Sequence, residues 1–208
     1  MGKLIDMTGW IMKEHGVPDW YINSCKKIKY MFPKAHAAAY VTNAFRIAWF
    51  KVHMPLAYYA AYYSIRAKAF DAEYMIFGNE KVKNKMKEIE IKNQKKEATK
   101  AEQDMYDDLE VVHEMYERGF EFLPVDIYKS DSIKFQIEDN KLRPPLNSIP
   151  GFGTVAAQGI VDARKDGKFM SIDDLKIRAK IGDSGAELLK QFGCLEGMSQ
   201  SNQLSIFD

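Results

Sequence analysis

The chain has 208 residues, room for one large domain or two small ones, and its 46% hydrophobic and 28% charged content is ordinary for a globular protein. No apolar run approaches the roughly 18 residues of a membrane-spanning helix, and the opening Met1-Gly2-Lys3-Leu4-Ile5-Asp6 lacks the apolar stretch of a secretory signal. The two cysteines, Cys25 and Cys194, are far apart without CxxC spacing, which argues against a disulfide framework and a zinc site and fits a reducing cytoplasm.

The net charge of +1 is unevenly distributed. Between Asp19 and Asp71 there is no acidic residue, while Lys26, Lys27, Lys29, Lys34, Arg46, Lys51, Arg66 and Lys68 share the stretch with His36, His53 and aromatics from Trp20 and Tyr21 to Tyr62 and Tyr63. A one-signed field interleaved with rings suits a phosphate-bearing partner with stackable bases. A helical core whose basic side chains snorkel at its rim gives the same composition, and both readings stay open.

In chain order, the first 120 residues read mostly as helix. Asp19 after Pro18 can cap a helix running to about Tyr30, Pro33 opens one free of breakers to His53, and Pro55 opens a third through about Ala69. From Asn79 to Glu110 the charges are mixed. Apolar residues still recur at helical spacing (Val82, Met86, Ile89, then Ala98, Ala101, Met105, Leu109, Val112, Tyr116), predicting a solvated helical pair that stops at Gly119. Short strands are expected at 124–128 and 133–137, with a hairpin turn at Asp139-Asn140 before Pro144-Pro145.

After Ile149 the chain returns to short helices punctuated by glycine. Pro150-Gly151-Phe152-Gly153 followed by Thr154 to Arg164 resembles the hairpin and second helix of a helix-hairpin-helix motif. Gly151 and Gly153 permit a tight turn and close backbone approach, and the helix opened at Thr154 offers free N–H groups and a positive dipole end to a phosphate. Such a grip touches no base edge and should bind duplex DNA without sequence preference. A second hairpin is expected at Lys180 to Gly185, with Gly182 and Gly185 as its glycines and Ser171 capping the preceding helix. There Asp183 sets a negative charge where phosphate should lie.

The segment Phe32-Pro33-Lys34-Ala35-His36-Ala37-Ala38-Ala39-Tyr40 puts Lys34 and His36 in the first turn of a helix, where the dipole favours an anion, with small residues around them and Tyr40 and Phe32 as flat surfaces. Together with Trp20 to Met31 and with Ala48 to Ala60, this run resembles the fingers region of PolC-type polymerases, the alpha subunit of bacterial DNA polymerase III. The resemblance continues through Pro144-Pro145 and Pro150 to Gly153. It implies that Lys34 and His36 hold the triphosphate of an incoming deoxynucleoside triphosphate and that Tyr40 lines the site near its base. It further implies a DNA-directed DNA polymerase whose missing palm and thumb lie outside this chain. Magnesium ions would be needed by the complete enzyme, with no cofactor bound by this chain. Thr42 and Asn43 are more polar than the resemblance leads one to expect.

Gln203-Leu204-Ser205-Ile206-Phe207 resembles the bacterial sliding-clamp-binding pentapeptide, with Gln203, Leu204, Ile206 and Phe207 as the contacts. The acidic pairs Asp107-Asp108 and Asp173-Asp174 fall in predicted helices, without the strand-borne partner that two-metal phosphoryl transfer requires. The expected fold is mainly α: a helical fingers region (1–120), then a small α/β segment and tandem helix-hairpin-helix duplex-binding domain (121–196), then a tail (197–208). Expected partners are duplex primer-template DNA, the nucleotide, the sliding clamp and the remaining polymerase, with no membrane. A free-standing helix-hairpin-helix accessory or repair protein is the rival reading.

Overall fold

The computed structural model describes residues 2–27 and 34–201, with side chains from residue 8 onward. Phe32, Pro33 and the pentapeptide Gln203 to Phe207 lie outside the described residues. The protein is mainly α-helical, with ten α-helices and one two-stranded sheet among the described residues. No helix described is long and apolar enough to cross a membrane. The chain divides into two compact units, residues 1–48 and 49–208.

The first unit holds α1 (Gly2–Glu14), α2 (Asp19–Lys27) and the first part of α3 (Lys34–His53). A Cβ added at the buried Gly9 of α1 would stand 3.4 Å from Cγ2 of Ile22 in α2, so the two helices approach closely there. Gly16, at φ +76°, reverses the chain between them. Asp19 is the first residue of α2, not its cap, and it pairs with Lys13 at 2.9 Å.

The second unit contains two adjoining cores. One gathers α4 (Pro55–Ile65), the short α5 (Ala72–Met75), and the antiparallel pair α6 (Asn79–Gln94) and α7 (Lys100–Glu117). Thr99 and Glu102 form a capping box at the start of α7. Gly119 follows at φ +82°, as expected of the residue beyond a helix C-terminus. Tyr59 and Tyr63 are fully or almost fully buried in this core, and Tyr63 packs against Phe70, Phe122 and Phe135. Burial pushes the Tyr63 hydroxyl well above its ordinary pKa.

α4 stops at Ile65, short of the expected Ala69. The reason is Asp108, a carboxylate only 3% exposed, which accepts the backbone N–H groups of Lys68 and Ala69 at 3.0 and 2.8 Å and holds that backbone out of the helix. Burial raises the Asp108 pKa, against the lowering effect of those donors.

The strands also differ from expectation. They are β1 (Gln136–Glu138) and β2 (Lys141–Arg143), paired antiparallel with Ile137 opposite Leu142. Asp139 and Asn140, both at positive φ, make the turn anticipated there. No strand forms at 124–128, and the strand expected at 133–137 begins three residues later, at Gln136. In both places an aspartate side chain bends the chain: Asp126 accepts from Tyr128 and Lys129, and Asp131 from Ile133 and Lys134. Such Asx turns outcompete the β-propensity of the apolar residues beside them.

The second core belongs to α8 (Thr154–Ala163), α9 (Ile172–Ala179) and α10 (Asp183–Gln191), closed by Leu146 and Ile149 before them and Leu195 after. α8 and α9 cross so closely that a Cβ at Gly159 would collide with the carbonyl oxygen of Ala179. Arg178 fastens the crossing. Its guanidinium donates to the carbonyls of Ala163, Gly167 and Lys168, pairs with Asp174, and lies over the Phe169 ring.

Candidate nucleic-acid interface

Three helices of the second core differ at their N-termini. α9 is satisfied by its own chain: the Ser171 hydroxyl accepts from Asp174, and the carbonyls of Ser199 and Gln200 accept from Ile172 and Asp173 at 2.9 and 3.1 Å. α8 and α10 begin instead at Gly153 and Gly182, neither of which supplies a side-chain cap. Each of these helices follows a tight hairpin and presents its first turn to solvent, with Thr154 exposed and Val155 89% exposed. An exposed N-terminus with free N–H groups and no capping side chain suits an anion.

The glycines have separable roles. Gly151 takes φ +77° and so makes the turn that other residues would strain to make. Gly153 and Gly182 have ordinary negative φ, and a Cβ at either would meet nothing within 4 Å. Their bare backbone is therefore not required by packing; it leaves room outside the protein. Gly185 faces inward, where a Cβ would lie 3.4 Å from Cε2 of Phe152. Phe152 thus joins the two hairpins: it belongs to the first and packs on the helix of the second.

Asp183 lies in the first turn of α10 and is 93% exposed, but it does not stand alone. Lys176 of α9 reaches across the hairpin to it at 2.6 Å, and that hydrogen bond and charge lower the Asp183 pKa. The α10 terminus is thus already occupied by a neutralised pair, whereas the α8 terminus carries no acidic residue in its first turn. A groove of about 460 Å³ opens beside the first hairpin, lined among others by Phe70, Asp71, Met105, Asn147, Gly151 and Gly153.

Lys34, His36 and Tyr40 all lie on α3 and are exposed. The His36 and Tyr40 rings, one turn apart, meet edge to face with centroids 4.6 Å apart. Thr42 satisfies its hydroxyl within the helix by donating to the Ala38 carbonyl at 2.7 Å. No residue of α3 is buried, and Tyr40, Phe45 and Trp49 are 65%, 73% and 52% exposed. The aromatic content of the basic stretch is therefore divided. Tyr59 and Tyr63 are core, while the rings of α3 are surface. Its cations divide too, since Lys51 donates to Glu114 at 2.5 Å.

Among the described residues no group of three or more His, Cys, Asp or Glu could hold a metal ion. The acidic pairs noted in the sequence serve the fold: Asp108 holds the 68–69 backbone, Asp174 binds the Met170 N–H and Arg178, and Asp173 pairs with Lys176 at 3.6 Å. Sequence reasoning missed the tasks of Asp108, Arg178 and Gly159, because each meets partners at a distance that no periodicity encodes. Gly159 alone carried a signal, as a glycine inside a helical run.

Residues 119–204 match the family model of the helix-hairpin-helix motif. The chain is 52% identical over 196 residues to DNA polymerase III PolC-type of Caldanaerobacter subterraneus subsp. tengcongensis, covering 94% of this chain and 14% of that protein. It is 51% identical over 200 residues to the protein of that name from Oceanobacillus iheyensis, covering 95% of this chain and 14% of that one. With the Streptococcus pyogenes protein of that name it shares 51% identity over 205 residues, 98% of this chain and 14% of the relative. Over nearly its whole length the chain is thus similar to a segment of PolC-type DNA polymerase III proteins, spanning only 14% of those relatives, and its residues 119–204 carry the helix-hairpin-helix match.

Proposed function

We propose that this chain is the part of a replicative DNA polymerase that grips the duplex primer-template, contributes contacts to the incoming nucleotide, and tethers the enzyme to a sliding clamp. The observation that carries the duplex grip is the contrast between helix termini: α9 is capped by its own chain, whereas α8 is opened by Gly153 and left exposed. Bare N–H groups at the end of a helix dipole attract phosphate without reading bases, so binding should be independent of sequence and strongly dependent on salt.

In this reading Lys34 and His36 lie against the triphosphate of the incoming deoxynucleoside triphosphate and Tyr40 lies near its base. Their exposure along one helix and the His36–Tyr40 ring contact support the assignment. A 20-residue helix with no buried residue and large exposed rings is also what a segment of a much larger enzyme presents where further polypeptide covers it. The tail residues Gln203, Leu204, Ile206 and Phe207 would enter an apolar cleft on the clamp. Each buried apolar side chain contributes up to ~1.5–3 kcal/mol, offset by the ordering of the tail, so the contact is weak alone and effective through tethering.

Polymerisation needs magnesium ions clamped by carboxylates. Among the described residues no three His, Cys, Asp or Glu gather as such a clamp, and Asp108 and Asp174 are tied to backbone N–H groups and to Arg178. We assign the metal site, and with it the chemical step, to the palm outside this chain.

The test is binding to primer-template DNA across a salt series, with and without clamp, comparing the intact chain with one lacking Gln203 to Phe207. The expected result is sequence-independent DNA binding that weakens steeply with salt, and clamp association that disappears with the tail. A folded chain that binds neither partner would refute the proposal.

A further inference from the structure

The chain does not leave the helix-hairpin-helix unit freely after α10. Leu195 is buried, Gly197 turns the chain at φ +74°, and the next residues return to the start of α9. There the carbonyls of Ser199 and Gln200 accept the Ile172 and Asp173 N–H groups, at 2.9 and 3.1 Å. The Ser199 hydroxyl donates to the Met170 carbonyl at 3.4 Å. This strap completes the capping of α9, which Ser171 begins, and fixes the point from which the tail departs.

Only Ser201 and Asn202 separate Gln200 from Gln203. Three chain steps of about 3.5 Å reach roughly 10 Å, so any cleft that holds Gln203 must come within about that distance of Gln200. The surface at that point is a small cleft between α9 and α10, lined by Lys176, Asp183, Glu187, Lys190 and Gln200. Glu187 and Lys190 are exposed, and neither is in an ion pair among the described residues.

We propose that this α9–α10 face is a second contact surface for the sliding clamp, pressed against it by the short strap. The inference rests on the tail reading given above. Mixed exposed charge of this kind gives a polar rim contact, weak by itself, that sets orientation once the tail is seated. Because Asp183 belongs both to this face and to the second hairpin, clamp and duplex would meet the unit along one edge.

The experiment places a photo-crosslinking amino acid at position 187 or 190 of the full chain and illuminates it with purified cognate clamp. A probe at position 96, in the turn between α6 and α7, reports non-specific capture. Adducts with the clamp are expected from 187 and 190, absent when Gln203 to Phe207 are removed. A flexible insertion of about 20 residues between Ser201 and Asn202 should reduce them by roughly tenfold or more while clamp affinity for the tail stays within about twofold, since a longer tether lowers effective concentration. No adduct from either position, with tail-dependent clamp binding intact, would overturn the second contact and leave the tail reading standing. Clamp binding that is absent, or unchanged by loss of the tail, would overturn both.

Discussion

The carbonyl oxygen of Ala179 occupies the space into which a side chain at Gly159 would grow, so the crossing of α8 and α9 exists only with glycine at that position. The crossing sets the spacing of the two hairpins, because α8 starts from one and α9 ends at the other. Replacing Gly159 with alanine forces the helices apart. We expect Gly159→Ala to cost about 3 kcal/mol, as overpacking of a rigid core does, and to lower the midpoint of thermal unfolding measured by circular dichroism. An unchanged midpoint would mean that the crossing relaxes without loss.

Gly153 allows binding to be separated from folding. Its φ is −72° and its surroundings are open, so Gly153→Ala should change stability by less than about 0.5 kcal/mol. An added methyl group would nevertheless stand between the backbone and an approaching phosphate. Duplex affinity, followed by fluorescence anisotropy at low salt, should fall by roughly tenfold, about the loss of one hydrogen bond to a charged group. Gly182→Ala is equally tolerable to the fold. Its effect on DNA binding should be smaller, because the Lys176–Asp183 pair already occupies that terminus.

Removing the charge of Asp183 should act in the opposite direction. Asp183→Asn leaves the α10 terminus without its anion and Lys176 with only the longer Asp173 contact at 3.6 Å, freer to meet phosphate. We predict tighter duplex binding, by about threefold to tenfold at low salt, and a salt dependence steeper by roughly 0.9 for each additional phosphate neutralised. The helix gives up a favourable charge–dipole interaction at its first turn in exchange. Affinity unchanged across the salt series would show that the second hairpin stays clear of DNA.

The Glu138 carboxylate should report acid opening of the β1–β2 hairpin. It accepts from Arg143 at 2.6 Å and from Lys129 at 2.7 Å, and these bonds, Arg143 first, lower its pKa from an ordinary 4.5 to about 2. A carboxylate depressed on folding contributes stability above its unfolded pKa and loses it as the pH falls through the folded one. The contribution is therefore complete above about pH 4.5 and fades between there and pH 2. A carbon-detected titration of the Glu138 side chain should show its midpoint near 2, and Glu138→Gln should flatten the acid loss over that window. A midpoint near 4.5 would mean that the Arg143 bond is not kept in solution.

Much of this protein can be read locally from its sequence. Thr99 with Glu102, Ser171 with Asp174, Gly119 and the Asp139-Asn140 turn each depend on residues within a few positions of one another, so a short window of sequence is enough to place them. The helix-hairpin-helix signature is local for the same reason: a glycine turn and the helix it opens are contiguous. The places where the expectation slipped, the end of α4 and the position of β1, are those where an aspartate redirects the backbone. For Asp108 the partners are about 40 residues away in sequence.

What only the tertiary structure decided is which of equivalent-looking residues face outward. The tyrosines of α4 and the rings of α3 belong to one aromatic stretch, yet Tyr59 and Tyr63 are core and Tyr40, Phe45 and Trp49 are surface. Asp183 reads as a bare negative charge until Lys176 is seen beside it, and the strap at Ser199 and Gln200 has no sequence signature at all. Burial and long-range pairing are properties of the packed chain. Hydrophobic pattern names the residues able to enter a core, and the neighbours brought together by folding select those that do.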